Sequence, residues 1–168
     1  MAENAQELFE HELKDIYDAE HKLVKALAKM AKDVEDEKLS QGFEQHRQVT
    51  EGQIERLEQV FELLDTRAER QPCAGIDGLI REYTKFVREE KPEGPVLDVF
   101  ATGAAKKVEH YEIVAYKGLI ELAEQLDLSE AAELLQQSLR EEEQTAQKLE
   151  RIGKQLGQQL ATASAERA

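Results

Sequence analysis

Four glutamates and one glutamine stand at positions where two pairs of helices would meet. Glu20 and Gln53 are 33 residues apart, and Glu109 and Glu142 are also 33 residues apart. Residues equidistant from the turn of an antiparallel helical hairpin face each other, so each pair would lie at one level of a bundle. Glu112 follows Glu109 by about one helical turn and would lie on the same face. The spacing therefore predicts four carboxylates in the middle of a bundle, with Gln53 beside them.

Buried carboxylates of this kind point to divalent metal. Burying like charges costs several kcal/mol per ion unless the groups are protonated, paired or bound to metal. Two divalent cations would neutralise four carboxylates, and carboxylate oxygens suit iron and manganese. We therefore predict two iron ions, with manganese or another divalent metal as the alternative. The candidate metal-binding residues are Glu20, Gln53, Glu109, Glu112, Glu142 and His46.

Two features leave the ligand set open. His46 is seven residues before Gln53, about 10 Å along a helix axis, which is too far for one coordination sphere unless the site is displaced. We therefore favour a hydrogen-bonded core histidine beside Thr50, with metal ligation as the alternative. Glu142 stands in the triplet 141–143, where a slip of one residue rotates the side chain by ~100°. The glutamates could also be exposed at a partly open seam or paired with cations of the connecting segment.

Four long amphipathic helices must position these side chains. Apolar residues recur at alternating steps of four and three, which predicts helices over about residues 5–35, 39–66, 97–126 and 129–160. All three prolines lie between residues 71 and 95 and divide the chain into two halves. A short fifth helix, over about 75–91, is predicted within this connection because its apolar residues also have helical spacing. The fold class is all-α: a four-helix bundle with a long crossover.

Composition narrows the class of protein further. The chain has 168 residues, which fits one domain covering residues 1–168, and a net charge of −14, which argues against unspecific nucleic-acid binding. The single cysteine, Cys73, suits a reducing compartment. The N-terminus lacks the features of a signal peptide, and no apolar run approaches a membrane span. We expect a cytoplasmic protein with neither a membrane nor a nucleic acid as partner.

Four stretches of sequence resemble a known family. They read DIYDAEHKLVKAL at 15–27, HRQVTEGQIERLEQVFE at 46–62, KVEHYEIVAY at 107–116 and LREEEQTAQKL at 139–149. Together they are similar to the YciF-like bacterial stress proteins of the ferritin-like superfamily, and Glu109-x-x-Glu112 is similar to the third-helix pattern of rubrerythrins. The resemblance implies a ferritin-like bundle, a homodimer and a di-iron-type site whose reaction is not established.

The sequence departs from the superfamily at two motifs. Di-metal proteins of this superfamily take a Glu-x-x-His motif from each of two helices. This chain instead has Gln53-x-x-Arg56 in the second long helix and Glu142-x-x-Thr145 in the last. Each missing histidine removes a nitrogen ligand, which puts a full six-ligand centre in doubt. A single metal, a rewired di-metal site and an empty polar core all stay open.

Two functions of different classes follow from these observations. The leading hypothesis is a di-metal carboxylate protein that oxidises Fe(II) or reduces peroxide in a stress response. The alternative is a non-catalytic helical dimer whose polar core sets helix register without a functional metal. The sequence identifies no organic substrate, no electron partner and no catalytic residue.

Overall fold

Five α-helices make up most of the chain. The structure is a computed structural model that describes residues 3–165, and no strand occurs among them. The helices are α1 (Ala5–Asp33), α2 (Glu37–Leu63), α3 (Ala74–Glu90), α4 (Pro95–Gln125) and α5 (Ser129–Ala165). The all-α class and the five predicted helices are confirmed, with ends that agree to within a few residues. The exception is α5, which continues five residues beyond the predicted end.

Local signals in the sequence explain where the helices begin and end. The side chain of Asn4 accepts a hydrogen bond from the backbone N–H of Glu7, and Asp36 accepts one from Leu39 in the same way. Such caps satisfy backbone donors that have no partner within the helix. Pro95 is the first residue of α4 and follows Gly94, whose φ of 54° suits a residue without a side chain.

The four long helices pack as two hairpins. α1 lies along α2, and α4 lies along α5; the hairpins then meet through α2 against α5 and α1 against α4. The crossover, residues 64–94, carries α3 against α4 and α1. This arrangement confirms the predicted bundle with a long crossover. No helix in residues 3–165 combines the length and the apolar character that a membrane span requires.

A buried aspartate ties the two hairpins together. Asp98, near the start of α4, accepts hydrogen bonds from the backbone N–H groups of Glu35 and Asp36, at 2.8 and 3.1 Å. These two residues form the turn between α1 and α2. Because each donor would otherwise lack a partner in the turn, the contact fixes how far the second hairpin is shifted along the first.

Two apolar clusters fill the core, one toward each end of the bundle. The first contains Phe9, Leu13, Leu57, Leu119 and Leu135 among others, and the second contains Leu27, Leu39, Phe43, Ala105 and Leu149 among others. In α2, α4 and α5, buried polar residues lie between the residues that pack in the first cluster and those that pack in the second. The bundle therefore has a polar layer near its middle, enclosed by apolar side chains.

Candidate metal centre

The polar layer contains all six residues that the sequence proposes as metal-binding. Glu20 lies on α1, His46 and Gln53 on α2, Glu109 and Glu112 on α4, and Glu142 on α5. Each is buried: His46 is 5% exposed, and the other five are between 0% and 1% exposed. The bundle thus brings together side chains from four helices in a region that bulk water does not reach.

Four of the six form one compact group. His46, Glu109, Glu112 and Glu142 each offer one ligand atom, and these atoms all lie within 4.8 Å of one another. His46 Nδ1 is 3.4 Å from Glu109 Oε1, and its Nε2 is 3.8 Å from Glu142 Oε2. One imidazole and three carboxylates at these separations could surround a divalent cation.

Glu20 and Gln53 lie at the edge of this group and hydrogen-bond to their neighbours. The Gln53 amide Nε2 donates to Glu142 Oε1, and the Tyr116 hydroxyl donates to Glu20 Oε1. The second oxygen of Glu20 and the amide oxygen of Gln53 have no partner. Glu20 and Gln53 therefore each keep one oxygen without a partner. The hydrogen bond from Tyr116 fixes the carboxylate of Glu20, and the amide nitrogen of Gln53 fixes the carboxylate of Glu142.

The neighbours of Glu142 show why this member of the triplet faces inward. Arg56 forms two hydrogen bonds with Glu141, at 2.9 and 3.0 Å, and Lys117 pairs with Glu143 at 3.3 Å. Consecutive helical residues are rotated by about 100°, so pairing the two outer glutamates on opposite sides turns the middle one into the bundle. Arg56 also donates to Ser138 at 2.7 Å, which anchors the guanidinium between α2 and α5.

Unsatisfied polar atoms test whether metal fits here. In residues 3–165, nine buried side-chain nitrogen and oxygen atoms lack a hydrogen-bond partner, and all nine belong to the six candidate residues. They include both carboxylate oxygens of Glu109 and Glu112 and both ring nitrogens of His46. Buried polar groups in native proteins are nearly always bonded, so a group of nine needs an explanation. Divalent cations would supply the missing partners, and the residues therefore fit a metal.

Burial shifts the pKa of these groups strongly. Loss of solvation, followed by the charge of Glu142, raises the pKa of Glu20 from 4.5 to about 8, and burial raises the pKa of Glu109 and Glu112 well above their usual range. Burial, with a smaller contribution from Lys148, lowers the pKa of His46 to about 4. His46 is therefore neutral at physiological pH, the state in which imidazole can donate a nitrogen lone pair to a metal.

The structure corrects our sequence-based interpretation of His46. We favoured a hydrogen-bonded core histidine beside Thr50, but the Thr50 hydroxyl donates to the backbone oxygen of His46, and neither ring nitrogen has a partner. His46 and Gln53 are far apart along the α2 axis, but Glu142 from α5 lies between them. One carboxylate oxygen of Glu142 accepts a hydrogen bond from Gln53, and the other lies 3.8 Å from His46 Nε2. A side chain from a neighbouring helix therefore spans the two turns of α2 that separate His46 from Gln53.

The other histidines lie away from the cluster. His11 and His110 are exposed, and His21 is half-buried with its ring edge against Tyr17. Tyr116, which the sequence places one turn after Glu112, is fully buried and bonds to Glu20. The one signal for His46 in the sequence was its place on the α2 seam, interrupting the apolar residues.

Comparisons with known proteins agree with this architecture. A family model described as "Domain of unknown function (DUF892)" matches residues 4–162. Protein YciF of Escherichia coli (strain K12) is 44% identical over 145 residues, 86% of this chain and 87% of that protein.

Solved structures of two relatives share the fold. The crystal structure of the E. coli stress protein YciF matches with a TM-score of 0.88 at 41% identity, covering 93% of this chain and 98% of that one. YcfI from Rhodopseudomonas palustris matches with a TM-score of 0.86 at 39% identity, covering 88% and 94%. The chain therefore belongs to the DUF892 family and, like the stress protein YciF, has a ferritin-like helical fold.

Proposed function

We propose that this protein binds two divalent metal ions, most readily iron, in the polar layer of its bundle, and that it oxidises Fe(II) or reduces peroxide in a stress response. The observation that carries the proposal is that all nine unpartnered buried polar atoms of residues 3–165 converge there. His46, Glu109, Glu112 and Glu142 would hold one ion. Glu20, with its free oxygen, would join Glu112 in holding a second.

The surrounding residues would prepare the site before a metal binds. Gln53 holds one oxygen of Glu142, which leaves the other oxygen free on the side of His46. Tyr116 does the same for Glu20. Such outer partners restrict ligand carboxylates to a few orientations, which raises metal affinity. Iron bound there would supply one-electron chemistry toward oxygen or peroxide.

His46 would replace the nitrogen ligands that the missing Glu-x-x-His motifs remove. Its ring enters the cluster from two turns before Gln53, and both of its nitrogens are unpartnered. The site would therefore carry one histidine and four carboxylates, an oxygen-rich set that suits iron and manganese better than softer metals. Four carboxylates and two divalent ions would also leave no net charge to bury.

A second candidate function comes from a different class of protein. YcfI, a relative with the same fold, has been suggested to be a structural protein. The present chain could likewise be an inert helical dimer in which protonated carboxylates hold the helices in register. Burial raises the pKa of Glu20, Glu109, Glu112 and Glu142, and their charges act on one another, so the metal-free cluster would hold protons in common.

The redox proposal is tested by loading the protein with Fe(II) under nitrogen, adding oxygen or peroxide, and following absorbance against Fe(II) in buffer. Wild-type protein should oxidise iron faster than buffer does. Glu112→Gln should lose most of this gain, because it removes a carboxylate that both ions would share. Glu121→Gln changes an exposed glutamate of the same helix and should keep wild-type behaviour. Oxidation no faster than in buffer would overturn the redox function and favour the structural one.

We further propose that the protein acts in the cytoplasm as a homodimer. The single cysteine, Cys73, is buried and free, which suits a reducing compartment.

A further inference from the structure

A groove between α2 and α5 leads from the surface of the bundle to His46. Its volume is about 290 Å³. Its apolar walls come from both helices and include Leu39, Phe43 and Leu149. His46, which is 5% exposed, lines the groove, and its ring nitrogens lie near the carboxylates of Glu109 and Glu142. One histidine ring therefore separates the groove from the candidate metal centre.

The charge of this groove is opposite to that of the protein as a whole. Lys38, Lys148 and Arg151 line it, and no aspartate or glutamate does, although the chain carries a net charge of −14. Within residues 3–165, none of these three cations lies within ion-pair distance of a carboxylate. A concave surface that gathers one sign of charge concentrates ligands of the other sign.

The lining of the groove adds polar atoms that a ligand could use. The side chains of Gln41 and Gln45, both exposed, line it, and Gln45 forms no hydrogen bond within the described residues. His46 lines the groove as a side chain more than nine-tenths buried, and its two ring nitrogens lie on the side of Glu109 and Glu142. The three positive charges oppose the entry of free metal cations by this route and favour a small anion.

We propose that the groove between α2 and α5 binds a small oxyanion with the size and charge of phosphate, next to His46. Lys38, Lys148 and Arg151 supply the positive charge. The site stands on the groove, its cations and the position of His46, so it holds whether or not the cluster behind His46 binds metal.

Calorimetric titration with inorganic phosphate tests this site in the full chain, in chelator and without added metal. Wild-type protein should bind about one phosphate per chain, with an affinity that falls as salt is added. The double variant Lys148→Gln, Arg151→Gln should bind about tenfold more weakly, because two charge contacts are lost. Arg140→Gln with Lys154→Gln is the matched control: it removes two exposed cations of the same helix that do not line the groove.

The position of the bound anion provides an independent readout. In NMR spectra, phosphate should shift the ring signals of His46 more than those of exposed His11 or His110 in wild-type protein. No saturable binding at millimolar phosphate would overturn the proposal. Equal weakening in the groove variant and in the control would also overturn it, because the effect would then follow net charge rather than this site. Neither result bears on the metal proposal, since no metal is present.

Discussion

The side chains of the polar layer are costly to bury, and their arrangement shows how that cost could be offset. Glu109 and Glu112 have no hydrogen-bond partner for either carboxylate oxygen, although both residues are almost fully buried. Unpaired charges in such a site cost several kcal/mol each. Either protons or metal ions must reduce this charge, and the two cases respond differently to substitution and to pH.

Replacing Glu142 by glutamine separates the two cases. Glu142→Gln keeps the shape but removes a charge that raises the pKa of Glu20 and Glu109, so the melting temperature of metal-free protein should stay the same or rise. Metal should no longer stabilise this variant. In wild-type protein, metal at 100 times its dissociation constant should add about 2.7 kcal/mol. Thermal melts with and without Fe(II) or Mn(II) measure both effects.

The neighbouring glutamate provides the control for this substitution. Glu143→Gln removes a half-buried carboxylate that pairs with Lys117 outside the cluster. It should keep the metal-dependent rise in melting temperature. A rise that survives in Glu142→Gln would show that any stabilising metal binds elsewhere.

Stability should also depend on pH in a direction set by Glu20. Its pKa is about 8 in the folded protein, against an ordinary 4.5, so the folded state holds a proton that the unfolded state releases between these values. The stability this provides is complete below about pH 4.5 and is lost as pH rises toward 8. The free energy of unfolding in chelator should therefore fall by up to about 1.4 kcal/mol per pH unit for each such proton.

Urea unfolding at pH 5.5, 7 and 8.5 measures this dependence. The Glu20→Gln variant should show a flatter profile, because it removes one of the titrating groups. Metal should bind more tightly as pH rises, since it displaces the same protons. A wild-type free energy of unfolding that rises across this range would contradict the protonated state we infer for the metal-free cluster.

Much of this candidate site could be predicted at the level of residues, but not the position of His46 beside the carboxylates. The matched spacing of Glu20 with Gln53 and of Glu109 with Glu142 is sufficient to place carboxylates at one level, because hairpin geometry follows from helical rise. The position of His46 depends on a side chain from another helix. The helical rise along α2 alone could not show that the side chain of Glu142, from α5, lies between His46 and Gln53.

At the scale of elements, the crossover helix is held by a close contact that requires glycine. A Cβ atom built on Gly75 would lie 2.4 Å from the ring of Tyr111 on α4. The Tyr111 hydroxyl is fixed in turn by Cys73 at 3.1 Å and Asp15 at 3.3 Å, so the ring has partners on both sides. The helix itself could be predicted from its apolar spacing, but this contact could not, because it joins residues far apart in sequence.

Two glycine substitutions in α3 test the contact. Gly75→Ala should destabilise the protein by about 1–3 kcal/mol, because the added methyl group forces the Tyr111 ring away. Gly78→Ala has nothing within 4 Å and should stabilise α3 by about 0.5–1 kcal/mol through better helix propensity. Urea unfolding of both variants measures the difference. Equal effects would show that α3 does not pack on Tyr111 as described.

At the scale of the whole molecule, the bundle and its order of helices could be predicted from periodicity, prolines and caps. Most predicted seam residues of the four long helices are buried, because a stripe of apolar side chains can be buried only against another helix, and the exceptions, such as Leu64, Leu126 and Leu160, are partly covered. The association of two chains depends on exposed surfaces, which the periodicity of apolar residues does not define. Ile76 and Tyr83 are the buried residues of α3, and its apolar residues Leu79, Ile80 and Val87 are partly covered.

The predicted homodimer can be measured directly. Native mass spectrometry should give about twice the chain mass of 19.1 kDa, with no larger assembly. Leu79 and Ile80 on α3 are partly covered apolar residues that a second copy would bury further if it packed there. A mass of one chain at micromolar concentration would contradict the dimer and leave the metal centre unaffected, since all six of its candidate residues come from one chain.

The central claim is that the buried polar layer is a metal site, and metal content after reconstitution tests it most directly. Protein treated with chelator, loaded with Fe(II) under nitrogen and desalted should retain about two metal ions per chain. Glu109→Gln should retain markedly less, and exposed Glu121→Gln should match wild type. Wild-type protein that retains no more metal than Glu109→Gln would contradict the claim and leave an inert polar core.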